Sequence, residues 1–250
     1  MAAMSGLVLS LFPGIGMLDR AFEEEGFTVV RGPDALWGGD VHRFHPPANV
    51  FAGVIGGPPC QAHSRLRHIV KANGYKLAPD LIPEFVRCVR EASPQWFLME
   101  NVPDAPVPEI PPFSIHSQLF NNRWTGETQN RVRRITFGTL AGAMLHIPQE
   151  ALDSPKWEPT VTSSAGGRRL PVKIGGSGEM KGRQRKGQGG ELRKWSLADM
   201  IRLQGLPEDF LSDSPLTAEG KKTVIGNGVP LAIGKAIARA VRVALWTGGS

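Results

Sequence analysis

The alternation of short apolar runs with amphipathic segments constrains the fold of this chain more than any other feature. The run GLVLSLF ends in PGIG, and MLDRAFEEEGF follows with apolar residues at helical spacing. This order predicts a strand, a glycine turn and a helix. FTVVRGPD, FAGVIGGPP and QWFLMEN are further predicted strands, and DLIPEFVRCVREASP is a predicted helix that ends before Pro94. The alternation predicts an α/β fold, doubly wound around a mostly parallel sheet.

The regular pattern ends near Leu140 and returns at WSLADMIRLQGLP, a predicted helix. The stretch 163–190 is rich in Gly, Arg, Lys and Ser and has little periodicity. VPLAIGKAIARAVRVALW is strongly periodic and predicts a long C-terminal helix. We therefore predict one α/β domain formed by residues 1–139 and 196–250, with a small loop-rich region inserted at 140–195.

Positive charge is concentrated in the inserted region. Between residues 168 and 194 there are nine Lys or Arg and two Glu, whereas the whole chain carries a net charge of +6. The rest of the chain is therefore close to neutral. A local basic excess is typical of an element that binds a polyanion, although a solvated, flexible loop has the same composition.

The cysteine content and hydropathy restrict the compartment. Cys60 and Cys88 are too few for a disulfide framework, so we expect a reducing cytoplasm. No apolar run reaches the roughly 18 residues that a membrane helix needs, and the N-terminal stretch lacks the basic region of a signal peptide. Cys88 lies on the apolar side of its predicted helix and is expected in the core.

The turn FPGIG has the properties of a cofactor-binding turn, because glycines let the backbone approach a ligand and the helix N-terminus favours negative charge. Two acids follow it. Asp34 comes after the second predicted strand and could accept hydrogen bonds from ribose hydroxyls, while Asp40 could accept one from an adenine amino group. For each acid, a simple turn-forming role explains the sequence equally well.

The segment VIGGPPCQAHS places Cys60 at the end of a predicted strand, after two glycines and two prolines. Unpaired backbone N–H groups at such a turn lower a thiol pKa and favour the thiolate. A nucleophilic cysteine needs a proton partner, and Glu100 ends the next predicted strand. Because parallel strands present their carboxyl ends at one edge, we expect Cys60 and Glu100 to face one crevice beside the glycine turn.

Six motifs occur in a fixed order: LFPGIG, GGPPCQ, ENV, QNRVRR, RLQGLP and GNGVP. This set resembles the ordered motifs of the DNA cytosine-C5 methyltransferases of bacteria and their phages. The resemblance covers nearly the whole chain, except roughly residues 140–190. It implies an S-adenosyl-L-methionine-dependent methyltransferase domain of Rossmann-like fold at 1–139 and 196–250, with a target-recognition region at 140–195. The likeness of GNGVP to the family's last cofactor motif also implies that the C-terminal helix packs beside the first strand.

The resemblance also implies catalytic roles. Cys60 would add to C6 of cytosine and make C5 nucleophilic, and Glu100 would hydrogen-bond N3 and the exocyclic amine. Arg133 would contact the base O2, and Arg131 would support the catalytic loop. Without the other motifs, both arginines would be interpreted as part of an exposed charged strand. The target base lies within the duplex stack, so the resemblance implies that it is flipped into the site.

Further binding residues follow from the same resemblance. The methyl donor would be bound by Phe12, Gly14, Ile15, Gly16, Met17, Asp34, Asp40, Val41, Pro59, Asn227 and Gly228. Double-stranded DNA would be contacted by Gln61, Ser64, Arg65, Arg168, Arg169, Arg183, Arg185 and Lys186. Most of these basic residues would bind phosphate and a few would reach base edges. We expect a monomer without metal or membrane association.

The chain departs from the family pattern at two places. The segment from Asp34 to Asp40 is too short for the usual helix, and His63 stands where Phe is more frequent. His63 could tune the thiolate, contact phosphate or pack as a neutral aromatic, the last being expected. RNA methylation is an alternative function, but that branch carries a Cys-Phe-Thr signature that this chain lacks. A catalytically inactive DNA-binding homologue is disfavoured because Cys60, Glu100 and Arg133 are all present.

Overall fold

The computed structural model describes residues 6–59, 63, 79–150, 158, 160–162 and 195–247. Within these residues there are six strands: β1 (Leu7–Leu11), β2 (Thr28–Arg31), β3 (Phe51–Gly56), β4 (Trp96–Asn101), β5 (Ser114–Asn121) and β6 (Val132–Thr139). The helices of the described residues are α1 (Met17–Glu24), α2 (Ile82–Ala92), α3 (Leu197–Leu203), α4 (Ala218–Asn227) and α5 (Leu231–Thr247).

The six strands form one sheet in the order β2-β1-β3-β4-β6-β5. The first four strands in this order are parallel to one another, and β6 runs antiparallel to both β4 and β5. The doubly wound, mostly parallel α/β fold is thus confirmed. The antiparallel pair β5–β6 was not predicted, and neither was α4.

Alternating side chains of the strands form two apolar layers, because successive strand residues point to opposite faces. On β4, Trp96 and Leu98 pack in the layer that contains α1 and α5, whereas Phe97 packs with α2. The final helix shares the first layer with Val8 of β1, as predicted. Helices therefore cover both faces of the sheet.

Cys88 is fully buried in the α2 layer, which confirms its predicted core position. Burial raises the pKa of this thiol to about 11. Cys88 is therefore protonated at neutral pH and is a packing residue rather than a nucleophile.

The connection between β2 and β3 contains only two single 3-10 turns, Ala35–Trp37 and Val41–Arg43. Arg87 of α2 holds the second turn, because its guanidinium donates to the carbonyl oxygens of Val41 (2.7 Å) and Phe44 (3.0 Å). This confirms that the chain has no α-helix between the two predicted cofactor acids, only the single 3-10 turn Ala35–Trp37.

The described residues between 140 and 195 form no helix or strand, only isolated bridges at Glu150 and Glu158. Residues 163–194, which contain the basic cluster, lie outside the described part of the chain. The division into 1–139, 140–195 and 196–250 therefore stays a prediction.

Candidate active site

A cleft of about 500 Å³ opens at the carboxyl edge of β1, β3 and β4. Its volume lies in the range of small-molecule sites. Of the predicted site residues, the cleft is lined by Phe12, Gly14, Ile15, Met17, Asp34, Pro59, Glu100, Arg133, Asn227 and Gly228. The sheet edge thus brings eight of the eleven predicted donor-binding residues and two of the predicted catalytic residues to one cavity.

The glycine turn enters the cleft in an unusual backbone conformation. Phe12, Gly14 and Gly16 have φ values of 56°, 55° and 75°, which for Phe12 is a strained left-handed conformation. The turn closes with a hydrogen bond from Gly16 N to Pro13 O (2.8 Å), and α1 begins at Met17. The backbone of the turn is therefore presented to the cleft at the start of a helix.

Asp34 and Trp37 hold the peptide groups of this turn. Gly14 N donates to Asp34 Oδ2 (2.8 Å), and Trp37 Nε1 donates to Gly14 O (2.7 Å). Asp34 Oδ1 accepts a further bond from Leu36 N (2.7 Å). Asp34 thus lines the cleft as predicted, but its carboxylate also braces the turn. Trp37, which sequence reasoning did not select, contributes the second bond.

Asp40 and Val41 do not line the cleft. Asp40 is exposed and accepts a hydrogen bond from His42 N (3.0 Å), while Val41 is buried against α2 and β3. The physical reason is the short link after Asp34, whose second 3-10 turn is held to α2 by Arg87. Gly16 is also absent from the lining, since it lies against the guanidinium of Arg31.

Glu100 and Arg133 form an ion pair inside the cleft, with 2.8 Å between Arg133 Nε and Glu100 Oε1. Both side chains are largely buried, with exposed fractions of 9% for Glu100 and 14% for Arg133. Gly57 leaves room for the carboxylate, because a Cβ there would lie 3.3 Å from Glu100 Oε2. The pair presents one carboxylate and one guanidinium to the same cavity.

Asn101 joins the Pro58–Pro59 turn to the end of β4. Its buried amide donates to Pro58 O (3.1 Å) and its Oδ1 accepts from Val102 N (2.8 Å). Pro59, the residue before Cys60, lines the cleft. Cys60 itself lies outside the described residues, as do Gln61, Ser64 and Arg65 and the basic residues Arg168, Arg169, Arg183, Arg185 and Lys186.

His63 Nε2 lies 3.0 Å from Asp80 Oδ2, just before α2. Asp80 Oδ1 also accepts from Ile82 N (3.0 Å), so one carboxylate contacts both the helix start and the histidine. This contact differs from the expected packing as a neutral aromatic.

Arg131 lies behind the cleft rather than in its lining, with 2% of its surface exposed. Its guanidinium donates to Val161 O (2.5 Å), Gly228 O (2.8 Å) and Gly226 O (3.3 Å). The predicted support of the catalytic loop stays untested because residues 60–62 and 64–78 are not described. The described contacts run instead to the segment that ends α4.

Asn227 and Gly228 form a wall of the cleft at the end of α4, together with Thr223 and Val224. Gly228 packs on Met17, since a Cβ there would lie 2.1 Å from Met17 Sδ. Sequence reasoning missed α4 and, of its cleft residues, Thr223 and Val224. The available signal was Thr217, whose hydroxyl caps the helix by accepting from Gly220 N (3.1 Å).

Ser10 and Asp19 also contact the cleft and were not selected from the sequence. Asp19 is fully buried, accepts from Ser10 Oγ (2.5 Å) and pairs with Arg31 Nε (3.0 Å). Burial raises the pKa of this carboxyl, although both partners act in the opposite direction. The sequence did contain a signal for this buried acid, because Asp19 interrupts the apolar face of the predicted helix.

Within the described ranges, no group of three or more His, Cys, Asp or Glu side chains is arranged to hold a metal ion. The helices in these ranges also include none of sufficient length and hydropathy to cross a bilayer.

Comparison with known proteins gives a family match within this cleft-forming region. The model of the family described as C-5 cytosine-specific DNA methylase matches residues 40–106. This range contains the Pro58–Pro59 turn, Cys60 and Glu100.

Two similar sequences are each named a type II methyltransferase. Type II methyltransferase M.NgoPII of Neisseria gonorrhoeae is 29% identical over 147 residues, covering 50% of this chain and 38% of that protein. Type II methyltransferase M.MthTI of Methanothermobacter thermautotrophicus is 24% identical over 325 aligned positions, covering 94% of this chain and 96% of that protein. The chain therefore spans little more than a third of the first relative but nearly all of the second.

Solved structures share the fold. The Entamoeba histolytica methyltransferase EhMeth has a TM-score of 0.65 and 14% identity, with 96% of this chain and 98% of that chain covered. A putative DNA modification methyltransferase encoded within a prophage (E. coli) has a TM-score of 0.62 and 17% identity, with 96% and 99% covered. At these identities the likeness concerns the fold.

Proposed function

We propose that this chain, which belongs to the C-5 cytosine-specific DNA methylase family, transfers a methyl group from S-adenosyl-L-methionine to C5 of cytosine in double-stranded DNA. The observation that carries the proposal is the Glu100–Arg133 pair, which shares one cleft with the glycine turn and with Pro59, the residue before Cys60. A cytosine ring presents N3, the exocyclic amine and O2 along one edge. A carboxylate and a guanidinium side by side match that edge.

The glycine-turn end of the cleft suits the methyl donor. The backbone of Gly14 and Ile15 approaches the cavity closely, and Met17, Asn227 and Gly228 close its other side. S-adenosyl-L-methionine supplies an electrophilic methyl group when bound. The donor would be held by the predicted residues that line the cleft, and Asp40 and Val41 are not among them.

Cys60 acts as the nucleophile in this proposal. Cytosine C5 is a poor nucleophile, so the thiolate first adds to C6, and the electron density displaced from the C5–C6 bond becomes available at C5. After methylation the C5 proton leaves to a base and the C6–S bond breaks, which returns the thiolate. Asn101 supports this role, because its bond to Pro58 O holds the turn that precedes Cys60 beside Glu100.

Glu100 and Arg133 steady the ring during these steps. Glu100 would hydrogen-bond N3 and the exocyclic amine, and share or donate a proton as charge develops. Arg133 would bind O2 and would keep its place beside Glu100 through the ion pair. Both groups are held before the base enters, which lowers the reorganisation needed in the transition state.

The duplex would be bound mainly by the region 140–195. The target cytosine of the duplex must leave the base stack to reach the cleft, and contacts to the DNA phosphates offset the unstacking energy. Replacing Arg183, Arg185 and Lys186 by Gln should weaken binding and flatten its dependence on salt. An unchanged salt slope would show that this region does not bind the phosphates.

The test is methyl transfer from radiolabelled donor to duplex DNA, followed by bisulfite mapping of plasmid DNA from cells that express the protein. We expect methylation at C5 of cytosines in one short sequence context. Cys60→Ser should abolish transfer while DNA binding stays nearly unchanged. Label incorporated into tRNA instead of duplex DNA would overturn the DNA substrate, and transfer by Cys60→Ser would overturn the covalent step.

A further inference from the structure

Three buried polar side chains meet behind the wall of the cleft: Gln129, Arg131 and Gln204, with 1%, 2% and 1% of their surfaces exposed. Gln129 Nε2 donates to Leu203 O (2.7 Å) and lies 3.2 Å from Gln204 Oε1. We call these three side chains the rear network. Two of its members come from QNRVRR and one from RLQGLP, and the proposed base chemistry uses none of them directly.

The rear network converges on the segment that ends α4. Arg131 donates to Gly226 O and Gly228 O, and Gln204 Nε2 donates to Ile225 O (2.7 Å) and Gly228 O (3.3 Å). The carbonyl of Gly228 therefore receives two donors from different elements. Buried carbonyls held in this way have little freedom to shift.

The other face of this segment is the cleft itself. Asn227, Gly228 and Val229 line the cavity, and Gly228 packs directly on Met17, which also lines it. A displacement of the Gly228 carbonyl would therefore move the wall opposite the glycine turn. Within the described part of the chain, the rear network does not line the cleft, and its hydrogen bonds reach the donor site through this backbone.

The network also holds the chain before the basic region. Arg131 donates to Val161 O, and Val161 N donates to Gln129 Oε1 (3.2 Å). Val161 packs in the same apolar cluster as Met17 and Trp195. The same side chains thus anchor a segment within the predicted recognition region, just before its basic cluster, and the wall of the donor cleft.

From these contacts we infer that the rear network positions the Asn227–Gly228 wall for the methyl donor, so that Arg131 is a donor-side positioning residue. The inference rests on the proposed function, because it concerns the donor in that same cleft. Loss of a network member lets the wall relax and weakens donor binding. The base-binding pair Glu100–Arg133 keeps its own contacts.

The test measures binding of S-adenosyl-L-homocysteine by calorimetry to the full chain and to Arg131→Met and Gln204→Met. Each variant removes two or more hydrogen bonds to backbone carbonyls, and we expect the Kd to rise about tenfold. Gln204→Met keeps the guanidinium in place and carries the test if Arg131→Met does not fold. Arg87→Met is the matched control, because Arg87 also donates to two backbone carbonyls but lies away from the cleft.

Steady-state kinetics separate positioning from a general loss of structure. A displaced wall raises the KM for the donor while kcat at saturating donor is largely retained. A smaller fraction of folded protein would instead lower kcat and leave the KM unchanged, which would overturn the inference. Equal Kd values for the parent, Arg131→Met and Gln204→Met would overturn it as well. Failure of the parent protein to bind the ligand would remove the proposed function and, with it, this inference.

Discussion

Substitution of Gly228 by Ala tests the packing of the donor wall with the smallest possible change. Gly228 has φ −70° and ψ 162°, a conformation open to any residue, so the substitution adds no backbone strain. The new Cβ would lie 2.1 Å from Sδ, 3.1 Å from Cε and 3.2 Å from Cγ of Met17. Since non-bonded atoms need about 3.5–4 Å, the thioether must move by roughly 1.5 Å.

The magnitude follows from where Met17 can go. Its side chain has 2% of its surface exposed and packs between the cleft and the cluster that contains Ile225 and Leu231. Overpacking of this kind destabilises by about 1–3 kcal/mol. Because both Met17 and Gly228 line the cleft, we also expect weaker binding of S-adenosyl-L-homocysteine.

A double-mutant cycle with Met17→Ala isolates the contact. Met17→Ala alone should destabilise by about 2–5 kcal/mol. The double variant should be more stable than the sum of the two single effects predicts, by about 1–3 kcal/mol. Urea unfolding gives the stabilities and calorimetry gives the ligand Kd.

Gly138→Ala is the control for this cycle. A Cβ at Gly138 would lie equally close, 2.1 Å from the Phe97 ring, but at the opposite end of β4 from the cleft. It should lower stability and leave the ligand Kd unchanged. Strict additivity of Gly228→Ala and Met17→Ala, with an unchanged Kd, would refute the packing argument.

Three further changes probe the site and its frame. Glu100→Gln should lower the methyl-transfer kcat about a hundredfold, with little change in donor affinity, because the lost group acts on the base; equal losses in both would indicate a donor-binding role. Asn101→Leu should lower the free energy of unfolding in urea by about 1–3 kcal/mol, because it leaves the Pro58 carbonyl without its buried donor. It should also reduce methyl transfer. A fully active and equally stable variant would contradict this positioning role. The hydrogen bond from Arg87 lowers the pKa of Glu84, so Arg87→Met should destabilise more at pH 7 than at pH 3, as measured by unfolding at both pH values.

The sign of the pH effect follows from the direction of the shift. A carboxyl whose pKa is lowered on folding stabilises the folded state at pH values above its ordinary pKa of about 4.3. This contribution is lost as the pH falls through the lowered pKa. Arg134→Met serves as control, because Arg134 donates to Pro103 O and the Ser117 hydroxyl. A destabilisation by Arg87→Met that is the same at both pH values would contradict the assignment.

The parallel half of the fold was predictable because its signals are local. The sequence signals for β1, for the glycine turn and for α1 all lie within about 20 residues of one another. Each of these elements forms as predicted. The strands β5 and β6, which form an antiparallel pair, gave weaker signals. Their polar faces, with residues such as Gln118 and Arg134, conceal the alternation that identifies a strand.

The site was predictable where a motif alone determines the position of a side chain. Glu100 and Arg133 reach the cleft because each lies on a strand of the same sheet edge. Asp40 does not, because its position depends on how Arg87 of a distant helix holds the intervening turn. The contacts of Arg131 with Gly228 join residues 97 positions apart, and no spacing rule in the sequence predicts them.

The most direct test of the central claim is covalent capture at Cys60. The protein should be incubated with S-adenosyl-L-methionine and duplex DNA that carries 5-fluorocytosine at its target, where the fluorine prevents the final elimination. We predict a protein–DNA adduct that survives denaturation, with the attached peptide containing Cys60 and no adduct for Cys60→Ser. Absence of any adduct on a duplex whose unmodified form is methylated, or attachment at another residue, would contradict the account.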